Sequence, residues 1–357
     1  MHEHDTIFEQ MVDRGHERLC FHHDKETGLK AIVAIHSTAL GNALGGTRRW
    51  YYESEEDAIF DVLRLSKGMT YKAAVSGLPM GGAKSVILLP NRDQPRTETE
   101  ARAMGRFVDA FGGAYIAAED VGVDIQFIDW MAMETDHVMG GEKVSTGGDP
   151  SPWTAIGAFH GMRAALLQSG RSEDFSGVTV AIQGVGHVGL NLCKLLSDAG
   201  ANIIVTDINK TNVDQAVDQF GCEVAHPDEI LRQECDILAP CALGNVIDGT
   251  MVEHLRCSIL CGAANNILGD PEEDAVALKT AGIVYAPDFV VNAGGLIHLA
   301  GLHLGMTNEQ LQRKNDEIFD TTVRILEDGE DATSTYAAAV GLAKRRIAGG
   351  ETQCHAS

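Results

Sequence analysis

The sequence is short of basic residues, and this shortage excludes partners that carry phosphate charge. Only 28 of its 357 residues are lysine or arginine, against 51 aspartates and glutamates, so its formal net charge is -23. Nucleic acids and anionic membranes both require a basic protein surface. We therefore expect no nucleic-acid partner and no membrane partner. The acidic balance is typical of a soluble, self-repelling surface, with adaptation to a saline milieu as the alternative.

The chain also lacks long apolar runs and closely paired cysteines. No run approaches the roughly 18–20 apolar residues that span a bilayer. Residues 1–5 (MHEHD) have no basic stretch followed by an apolar one, so we expect no secretory signal. The eight cysteines include no Cys-x-x-Cys pair, which argues against a zinc knuckle and a thioredoxin-type motif. These absences predict a cytoplasmic protein with reduced thiols and no metal site.

What the sequence does contain is an alternation of short apolar runs and helical patterns. Residues 28–36 (GLKAIVAIH) and 85–89 (SVILL) have the composition of strands. Ser54, followed by three acidic residues, is predicted to be the N-cap of an amphipathic helix. The glycine-rich residues 77–84 predict a break between elements.

The second half has a β-α-β pattern. Residues 178–183 (VTVAIQ) and 203–207 (IIVTD) are predicted strands, with a helix at 185–199 between them. Further short apolar runs follow this unit. Such an alternation predicts a mostly parallel, doubly wound sheet.

A Gly-x-Gly-x-x-Gly motif lies at the first strand-to-helix junction of this pattern. Because the chain has 39 glycines, the motif alone is weak evidence, but its place between a strand and a helix makes it specific. The glycines permit a tight turn and close approach of a pyrophosphate, whose charge suits the helix N-terminus. The motif comprises Gly184, Val185, Gly186, His187, Val188 and Gly189.

Asp207, at the end of the next predicted strand, indicates which dinucleotide is bound. A carboxylate there accepts hydrogen bonds from the adenosine ribose hydroxyls and repels a 2′-phosphate. We therefore predict NAD as the cofactor. Lys210, close by in the sequence, would weaken the preference for NAD over NADP.

The predicted fold class is α/β with two domains separated by a catalytic cleft. An N-terminal α/β domain at residues 1–140 would bind substrate and form the oligomer, and a Rossmann domain at 141–330 would bind NAD. Residues 140–152, dense in Gly, Ser and Pro, are the predicted hinge. Closure about such a hinge would exclude water from the reaction.

Two lysines and an aspartate in the first half are candidates for proton chemistry. Lys84 follows glycines and precedes an apolar strand, Lys72 ends a helical pattern, and Asp120 lies in the segment EDVG. Any one of these lysines, taken alone, is more often a surface charge. Burial and a second nearby ammonium would lower the pKa of Lys84 and let it act as a base.

At these residues the chain resembles the glutamate/leucine/phenylalanine/valine dehydrogenase family. The resemblance runs from about residue 24 to residue 347. It implies NAD-dependent oxidative deamination of an L-amino acid to a 2-oxo acid and ammonia, a homo-oligomer, and packing of residues 331–357 on the first domain. The matching segments, in the family's order, are LG at 40–41, ALGGTR at 43–48, KGMTYK at 67–72, GGAK at 81–84, EDVG at 119–122, DPSP at 149–152, APCA at 239–242, GAANN at 262–266 and NAGG at 292–295.

The resemblance also implies a role for each matching residue. Lys84 matches the base that activates water, Asp120 matches the group that exchanges protons with the substrate amine, and Lys72 matches the cation that pairs with the α-carboxylate. Other residues match positions beside that carboxylate, namely Gly45, Gly46 and Asn265. A last group matches positions along the cofactor, namely Thr154, Cys241, Ala242, Ala263, Ala264 and again Asn265.

The residues that match the family's side-chain pocket are all apolar, and they are Leu40, Ala118, Leu296 and Leu299. None can pair with a side-chain carboxylate, which argues against glutamate as the substrate. Leu40 and Ala118 resemble the family members that act on leucine, whereas Leu296 and Leu299 depart from them. Because leucine at 296 shrinks the cavity, we predict leucine, valine or isoleucine, with phenylalanine as the alternative. Broad specificity is expected, since one methylene is worth only about 1–3 kcal/mol in such a pocket.

Two other functions stay open at this point. A sensor that binds NAD without turnover would retain the glycine-rich loop and Asp207, but it would not need Lys72, Lys84 and Asp120 together. A 2-hydroxyacid dehydrogenase would use a histidine–carboxylate pair, and no such pair stands beside a matching motif.

Overall fold

The computed structural model describes residues 6–141, 148–242 and 244–349. Contacts divide the chain into two compact units. The first unit comprises Met1–Gly148, Leu299–Gly305 and Arg346–Ser357, and the second comprises Asp149–His298 and Met306–Arg345. This division groups residues 331–345 with the second unit and Leu299–Gly305 with the first, so it differs from the boundaries expected from the sequence. The roles assigned to the two domains stay predictions.

A five-stranded mixed sheet forms the centre of the first unit. Its strands are β1 (Arg18–His23), β2 (Lys30–Ser37), β3 (Ala43–Trp50), β4 (Gly81–Leu88) and β5 (Tyr115–Glu119). They lie in the order β1-β2-β4-β3-β5, with β2 antiparallel to both of its neighbours and with β4, β3 and β5 parallel. The helices described in this part of the chain are α1 (Ile7–Arg14), α2 (Glu55–Val75), α3 (Glu98–Asp109) and α4 (Ile125–Met131).

Two glycine-rich segments form adjacent strands of this sheet. The break predicted at residues 77–84 is wrong for Gly81–Lys84, which belong to β4, and the glycines of residues 43–48 lie in β3. A Cβ built on Gly45 would lie 1.6 Å from the carbonyl oxygen of Ala83, so the close approach of the two strands requires glycine. Lys84 therefore lies inside β4, a strand that pairs with β2 on one side and with β3 on the other.

The helix predicted after Ser54 is present as α2. The Ser54 hydroxyl accepts a hydrogen bond from the Asp57 N–H at 3.1 Å, as an N-cap does. The helix buries Val62 and Leu63 in a cluster with residues of β2 and β4. This packing holds α2 against the same strand that carries Lys84.

The second unit contains a six-stranded parallel sheet, which confirms the predicted doubly wound fold. Its strands are β6 (Thr179–Gln183), β7 (Asn202–Thr206), β8 (Glu223–Val224), β9 (Ile237–Pro240), β10 (Ile259–Leu260) and β11 (Val284–Tyr285). Their order is β11-β10-β9-β6-β7-β8, so the chain starts in the middle of the sheet and winds outward in both directions.

The helices that follow the first unit's sheet include a long α5, which begins at Ser151. Residues 151 and 152 of the predicted hinge are therefore helical, and residues 142–147 lie outside the described residues. Within the three described ranges, no helix is long and apolar enough to cross a membrane. The helices described after the first unit's sheet are α5 (Ser151–Gln168), α6 (His187–Asp198), α7 (Lys210–Phe220), α8 (Gly249–Val252), α9 (Pro271–Thr280), α10 (Asp288–Val291), α11 (Gly294–His303), α12 (Asn308–Asp331) and α13 (Thr335–Ile347).

Two histidines are buried side by side in the first unit. The rings of His16, which follows α1, and His36, on β2, meet edge to face with centroids 4.8 Å apart. Nε2 of His16 lies 3.0 Å from the Leu63 carbonyl oxygen, and Nδ1 of His36 lies 2.9 Å from the Thr70 hydroxyl. Burial lowers the pKa of both rings to about 4. Both histidines are therefore neutral in the folded protein at pH 5–7.

We expect acid to destabilise the protein through this pair. In the unfolded chain a histidine protonates at about pH 6.5, whereas the folded rings stay neutral to about pH 4. Their stabilising contribution is thus present above pH 6.5 and is lost as the pH falls towards 4. For each histidine, the free energy of unfolding should fall by about 2 kcal/mol between pH 7 and pH 5. Urea unfolding of wild type and of the His16→Gln, His36→Gln double variant at both pH values measures this loss. An equal loss in the two proteins would contradict the prediction.

Candidate active site

Lys84 and Asp120 form a buried ion pair in the first unit. Lys84 is only 5 % exposed, and its Nζ lies 3.2 Å from Oδ2 of Asp120, which directly follows β5. The register of the sheet produces this contact, because β3 lies between β4 and β5 and pairs Gly46 with Ala118. A Cβ built on Gly46 would lie 3.1 Å from the Lys84 Nζ. Glycine at position 46 thus leaves space for the ammonium group.

The surroundings of the pair change the proton affinity of both groups. Burial lowers the pKa of Lys84, and the Arg48 guanidinium lowers it further, while the Asp120 carboxylate opposes both effects. Burial by itself would raise the pKa of Asp120, but Lys84 and Arg48 outweigh it and hold that pKa below its usual value. The site therefore combines a lysine and a carboxylate whose pKa values are both lowered. The sequence led us to expect a second ammonium near Lys84, and the cation that the structure places beside the pair is the guanidinium of Arg48.

Arg48 and Asp61 are not among the site residues predicted from the sequence. Arg48 donates from Nε to Oδ2 of Asp120 at 2.8 Å and from Nη1 to Oδ2 of Asp61 at 2.9 Å. Asp61, on α2, also accepts hydrogen bonds from the Tyr52 hydroxyl at 2.8 Å and from Nη2 of Arg64 at 2.9 Å. Two features of the sequence could have identified these residues. Arg48 ends the segment ALGGTR, and Asp61 is an acidic residue on the apolar face of a predicted helix.

The other predicted substrate residues of the first unit lie on neighbouring elements. Lys72 is in the last turn of α2 and is half-buried. Gly45 and Gly46 are buried on β3, and Ala118, on β5, is also buried. Leu40 is half-buried in the turn between β2 and β3. Sheet register brings Gly46, Ala118, Lys84 and Asp120 together. Lys72 lies on α2, which packs on β4.

Leu296 and Leu299, predicted to line the side-chain pocket, are one turn apart on α11. Both are half-buried, while Ile297 and His298 between them are buried. The two leucines therefore share one face of the helix, as residues three positions apart do.

The glycine-rich loop of the second unit joins β6 to α6. Gly184 has a φ of 96°, in the left-handed region, and a Cβ on it would lie 2.6 Å from the Cβ of Ala242. A Cβ on Gly189 would lie 2.1 Å from the Gly184 carbonyl oxygen, whereas one on Gly186 would meet nothing within 4 Å. The first and third glycines thus allow close packing, and the second faces open space.

The residues around this loop fit a dinucleotide. Helix α6 begins after Gly186, an N-cap residue that makes no side-chain capping hydrogen bond, so the backbone donors there suit a pyrophosphate. Asp207 is oriented by accepting the N–H groups of Val185 and Asn209, each at 2.8 Å. A carboxylate has about four acceptor sites, which leaves capacity for ribose hydroxyls. Nζ of Lys210 contacts Asp214 at 2.7 Å.

The two residues between the second and third glycines of the loop differ in their exposure. Val188 packs partly against the core of the unit. His187 is exposed, with Nδ1 3.7 Å from Asp149.

The remaining predicted cofactor residues follow the carboxyl ends of the parallel strands or begin α5. The Cys241 N–H, after β9, donates to the Gln183 carbonyl oxygen at 2.7 Å. Asn265, after β10, accepts at Oδ1 from Nδ2 of Asn292 at 3.0 Å. The Thr154 hydroxyl donates to the carbonyl oxygen of Pro150, the N-cap of α5, at 3.2 Å. This edge of a doubly wound sheet is where such folds bind their ligands. Two residues of the set are buried, Ala263 and Ala264, and two are exposed, Ala242 and Asn265.

Two family models match the chain. Residues 16–137 match the model described as Glu/Leu/Phe/Val dehydrogenase, dimerisation domain. Residues 149–349 match the model described as Glutamate/Leucine/Phenylalanine/Valine dehydrogenase. Together the two matches account for most of both units.

Individual relatives agree with the family models. The chain is 47 % identical over 344 residues to the leucine dehydrogenase of Thermoactinomyces intermedius, covering 96 % of this chain and 93 % of that protein. It is 42 % identical over 340 residues to the valine dehydrogenase of Streptomyces virginiae, covering 93 % and 94 %. The crystal structure of L-tryptophan dehydrogenase from Nostoc punctiforme has a TM-score of 0.85 at 39 % identity, covering 96 % of this chain and 99 % of that one.

Proposed function

The chain belongs to the Glu/Leu/Phe/Val dehydrogenase family and is an amino-acid dehydrogenase, and we propose that it deaminates leucine, valine and isoleucine oxidatively with NAD. Water is consumed, and the products are the 2-oxo acid, ammonium, NADH and a proton. The observation that carries this proposal is the buried pair of Lys84 and Asp120, 3.2 Å apart. Burial lowers the pKa of the lysine, and Lys84 and Arg48 hold the pKa of the carboxylate below its usual value. Leucine dehydrogenases that are 44–47 % identical over 344–345 residues support the substrate class.

Residues of the first unit transfer protons and bind the carboxylate of the substrate. Bound NAD supplies the acceptor for the hydride that leaves the substrate Cα. Lys72 pairs with the α-carboxylate, and Asp120 takes a proton from the amino group so that its nitrogen lone pair can assist hydride departure. Lys84 takes one proton from the water that adds to Cα and passes it to solvent, and Asp120 returns a proton to the nitrogen. The C–N bond then breaks as ammonia leaves, and Lys84 takes the remaining hydroxyl proton as the C=O bond forms.

Residues of the second unit would hold the cofactor. The N–H groups at the start of α6 donate to the pyrophosphate, and Asp207 accepts from the adenosine ribose. Thr154 and Asn265 lie beside the nicotinamide end, as the family resemblance implies.

The experiment that tests the function is a steady-state assay of NADH formation. We expect kcat/KM to be highest for one of leucine, valine and isoleucine, because the predicted pocket residues are all apolar. A higher value for phenylalanine or tryptophan would overturn the substrate class and leave the dehydrogenase activity standing. If no amino acid yields NADH, and wild type and Lys84→Ala bind NAD equally, the protein is a sensor that binds NAD without turnover, and the proposed function is wrong.

The predicted preference for NAD over NADP depends on Asp207. Ile208, which follows it, is uncharged and 99 % exposed. We expect Asp207→Ser to raise KM for NAD about 10- to 100-fold, because a hydrogen bond to a charged group is worth about 1.5–3 kcal/mol. Its KM for NADP should not rise. Asp218→Ser, an exposed acidic residue of α7, is the matched control. Equal changes in KM for the two cofactors would contradict the role given to Asp207.

We further propose that the chain forms a homo-oligomer through the face made by α1 and β1. Strand β1 is at the edge of its sheet, and such an edge pairs readily with another strand. Phe21 on β1 and Phe8 and Val12 on α1 are 54 %, 78 % and 76 % exposed. The family model that matches residues 16–137 is described as a dimerisation domain.

Sedimentation velocity tests this interface. We expect the wild type to sediment as an oligomer and Phe21→Glu to sediment as a smaller species, because a buried charge without a partner opposes association. Val224→Glu, on the edge strand β8 of the other sheet and 59 % exposed, is the control. A Phe21→Glu variant that sediments like the wild type places the interface elsewhere.

A further inference from the structure

The two oxygens of Asp120 are not equivalent in the structure. Arg48 approaches Oδ2 with Nε at 2.8 Å, and the nearest approach of the Lys84 Nζ, at 3.2 Å, is to the same oxygen. A carboxylate oxygen offers about two acceptor sites, so these two cations use the capacity of Oδ2. Proton exchange with a substrate is therefore directed to Oδ1.

Arg48 is itself held from its other side. Its Nη1 donates to Oδ2 of Asp61 at 2.9 Å, and the Arg48 and Asp61 side chains are only 20 % and 12 % exposed. Asp61 is in turn held by the Tyr52 hydroxyl and by Arg64. The guanidinium thus connects α2 with the segment after β5. Because a guanidinium is planar and presents donors on several edges, it can make both contacts without rotating.

We propose that Arg48, anchored by Asp61, is a positioning residue that confines the contacts of Lys84 and Arg48 to Oδ2 of Asp120 and thereby presents Oδ1 to the substrate amino group. This inference rests on the proposed deamination. It assigns no contact with substrate to Arg48, which acts through Asp120 and Lys84.

The charges of Arg48 and Asp61 act on Lys84 in opposite directions. Burial is the largest influence on the Lys84 pKa and lowers it, Arg48 lowers it further, and Asp61, like Asp120, raises it. The other titratable groups beside this cluster, Tyr52 on the approach to α2 and Tyr115 on β5, stay neutral through the working range. Burial raises the pKa of Tyr115 to about 12 and raises that of Tyr52 further.

The test is the pH profile of kcat/KM for the best amino acid of the wild type. If Lys84 is the base, kcat/KM rises with pH through the pKa of Lys84. Arg48→Gln removes a cation, so its profile should shift to higher pH by about one unit. Asp61→Asn removes an anion, so its profile should shift to lower pH. In both variants kcat at the profile's plateau should fall about tenfold or more, because Asp120 loses its fixed orientation.

Two further variants separate positioning from folding. Arg48→Lys keeps the charge but cannot bridge both carboxylates, so its pH profile should return towards that of the wild type while its plateau kcat stays low. Arg102→Gln, on α3, loses only contacts with Glu98 and Glu134 and is the control. Circular dichroism and thermal unfolding report whether each variant folds. If Arg48→Gln does not fold, the pH profiles of Arg48→Lys and Asp61→Asn are compared with that of the wild type instead.

The possible outcomes test the positioning role of Arg48 separately from the proposed dehydrogenase function. Opposite shifts of the profile in Arg48→Gln and Asp61→Asn support the positioning role. Unshifted profiles, or shifts in the same direction, in variants that fold overturn it and leave the dehydrogenase activity intact. A wild type that forms no NADH with any amino acid overturns the proposed function itself.

Discussion

Replacing Lys84 with alanine is expected to lower kcat for oxidation of leucine by about two to four orders of magnitude, the usual contribution of a general base. Lys84 has no substitute at its position, since the neighbouring cation Arg48 stays protonated at any working pH. KM for leucine should change far less, because the α-carboxylate is assigned to Lys72. A Lys84→Ala variant that retains more than about a tenth of wild-type kcat would falsify the assignment of Lys84 as the base.

The fold should tolerate this substitution. Asp120 keeps its 2.8 Å contact with Arg48 when the ammonium is removed, so no buried carboxylate is left without a cation. Lys30→Ala is the matched control, because Lys30 lies on the adjacent strand β2 with 59 % of its side chain exposed. We expect Lys30→Ala to have wild-type kcat and KM, and thermal unfolding should show both variants folded.

Adding a single methyl group at Gly46 is expected to lower kcat/KM by about 100-fold. The new Cβ would lie 2.5 Å from the Glu119 carbonyl oxygen, 2.9 Å from the Cβ of Asp120 and 3.1 Å from the Lys84 Nζ. The first two distances are shorter than real Cβ contacts, so the segment that carries Asp120 must move. A displacement of about 1 Å in catalytic groups can cost about 100-fold in rate.

Gly68→Ala is the control for this effect. Gly68 lies in α2, and a Cβ built on it would meet nothing within 4 Å. We expect its activity to be unchanged and its free energy of unfolding to rise by about 0.5–1 kcal/mol, because alanine favours a helix interior. Steady-state kinetics and urea unfolding of the two variants measure these effects. Wild-type kcat/KM in Gly46→Ala would show that the site accommodates the methyl group.

The second unit illustrates what local sequence patterns predict well. The apolar run before Gly184, the three glycines and the helical pattern after them predict the β6–α6 junction within two residues of its bounds. Ser54 is predicted as the N-cap of α2 because capping involves only a few consecutive residues. Both features depend on interactions that are local in the chain.

Strands β3 and β4 illustrate what such patterns miss. Glycine has a low intrinsic preference for strands, so residues 43–48 and 77–84 carry no strand signal strong enough to outweigh their glycines. The structure explains the glycines through contacts between strands, such as the approach of Gly45 to the Ala83 carbonyl oxygen. Lys84 was therefore expected beside a strand and lies within one.

The sequence by itself determined the family, the doubly wound second unit, the glycine-rich loop and the candidacy of Lys84 and Asp120, because each is encoded in short segments. Only the tertiary structure decided which charges surround that pair. Arg48 and Asp120 are 72 positions apart in the chain. They meet because the strand order β4-β3-β5 places β3 between the strand of Lys84 and the strand that leads to Asp120. Sheet order and register arise from the packing of the whole unit, and no local pattern records them.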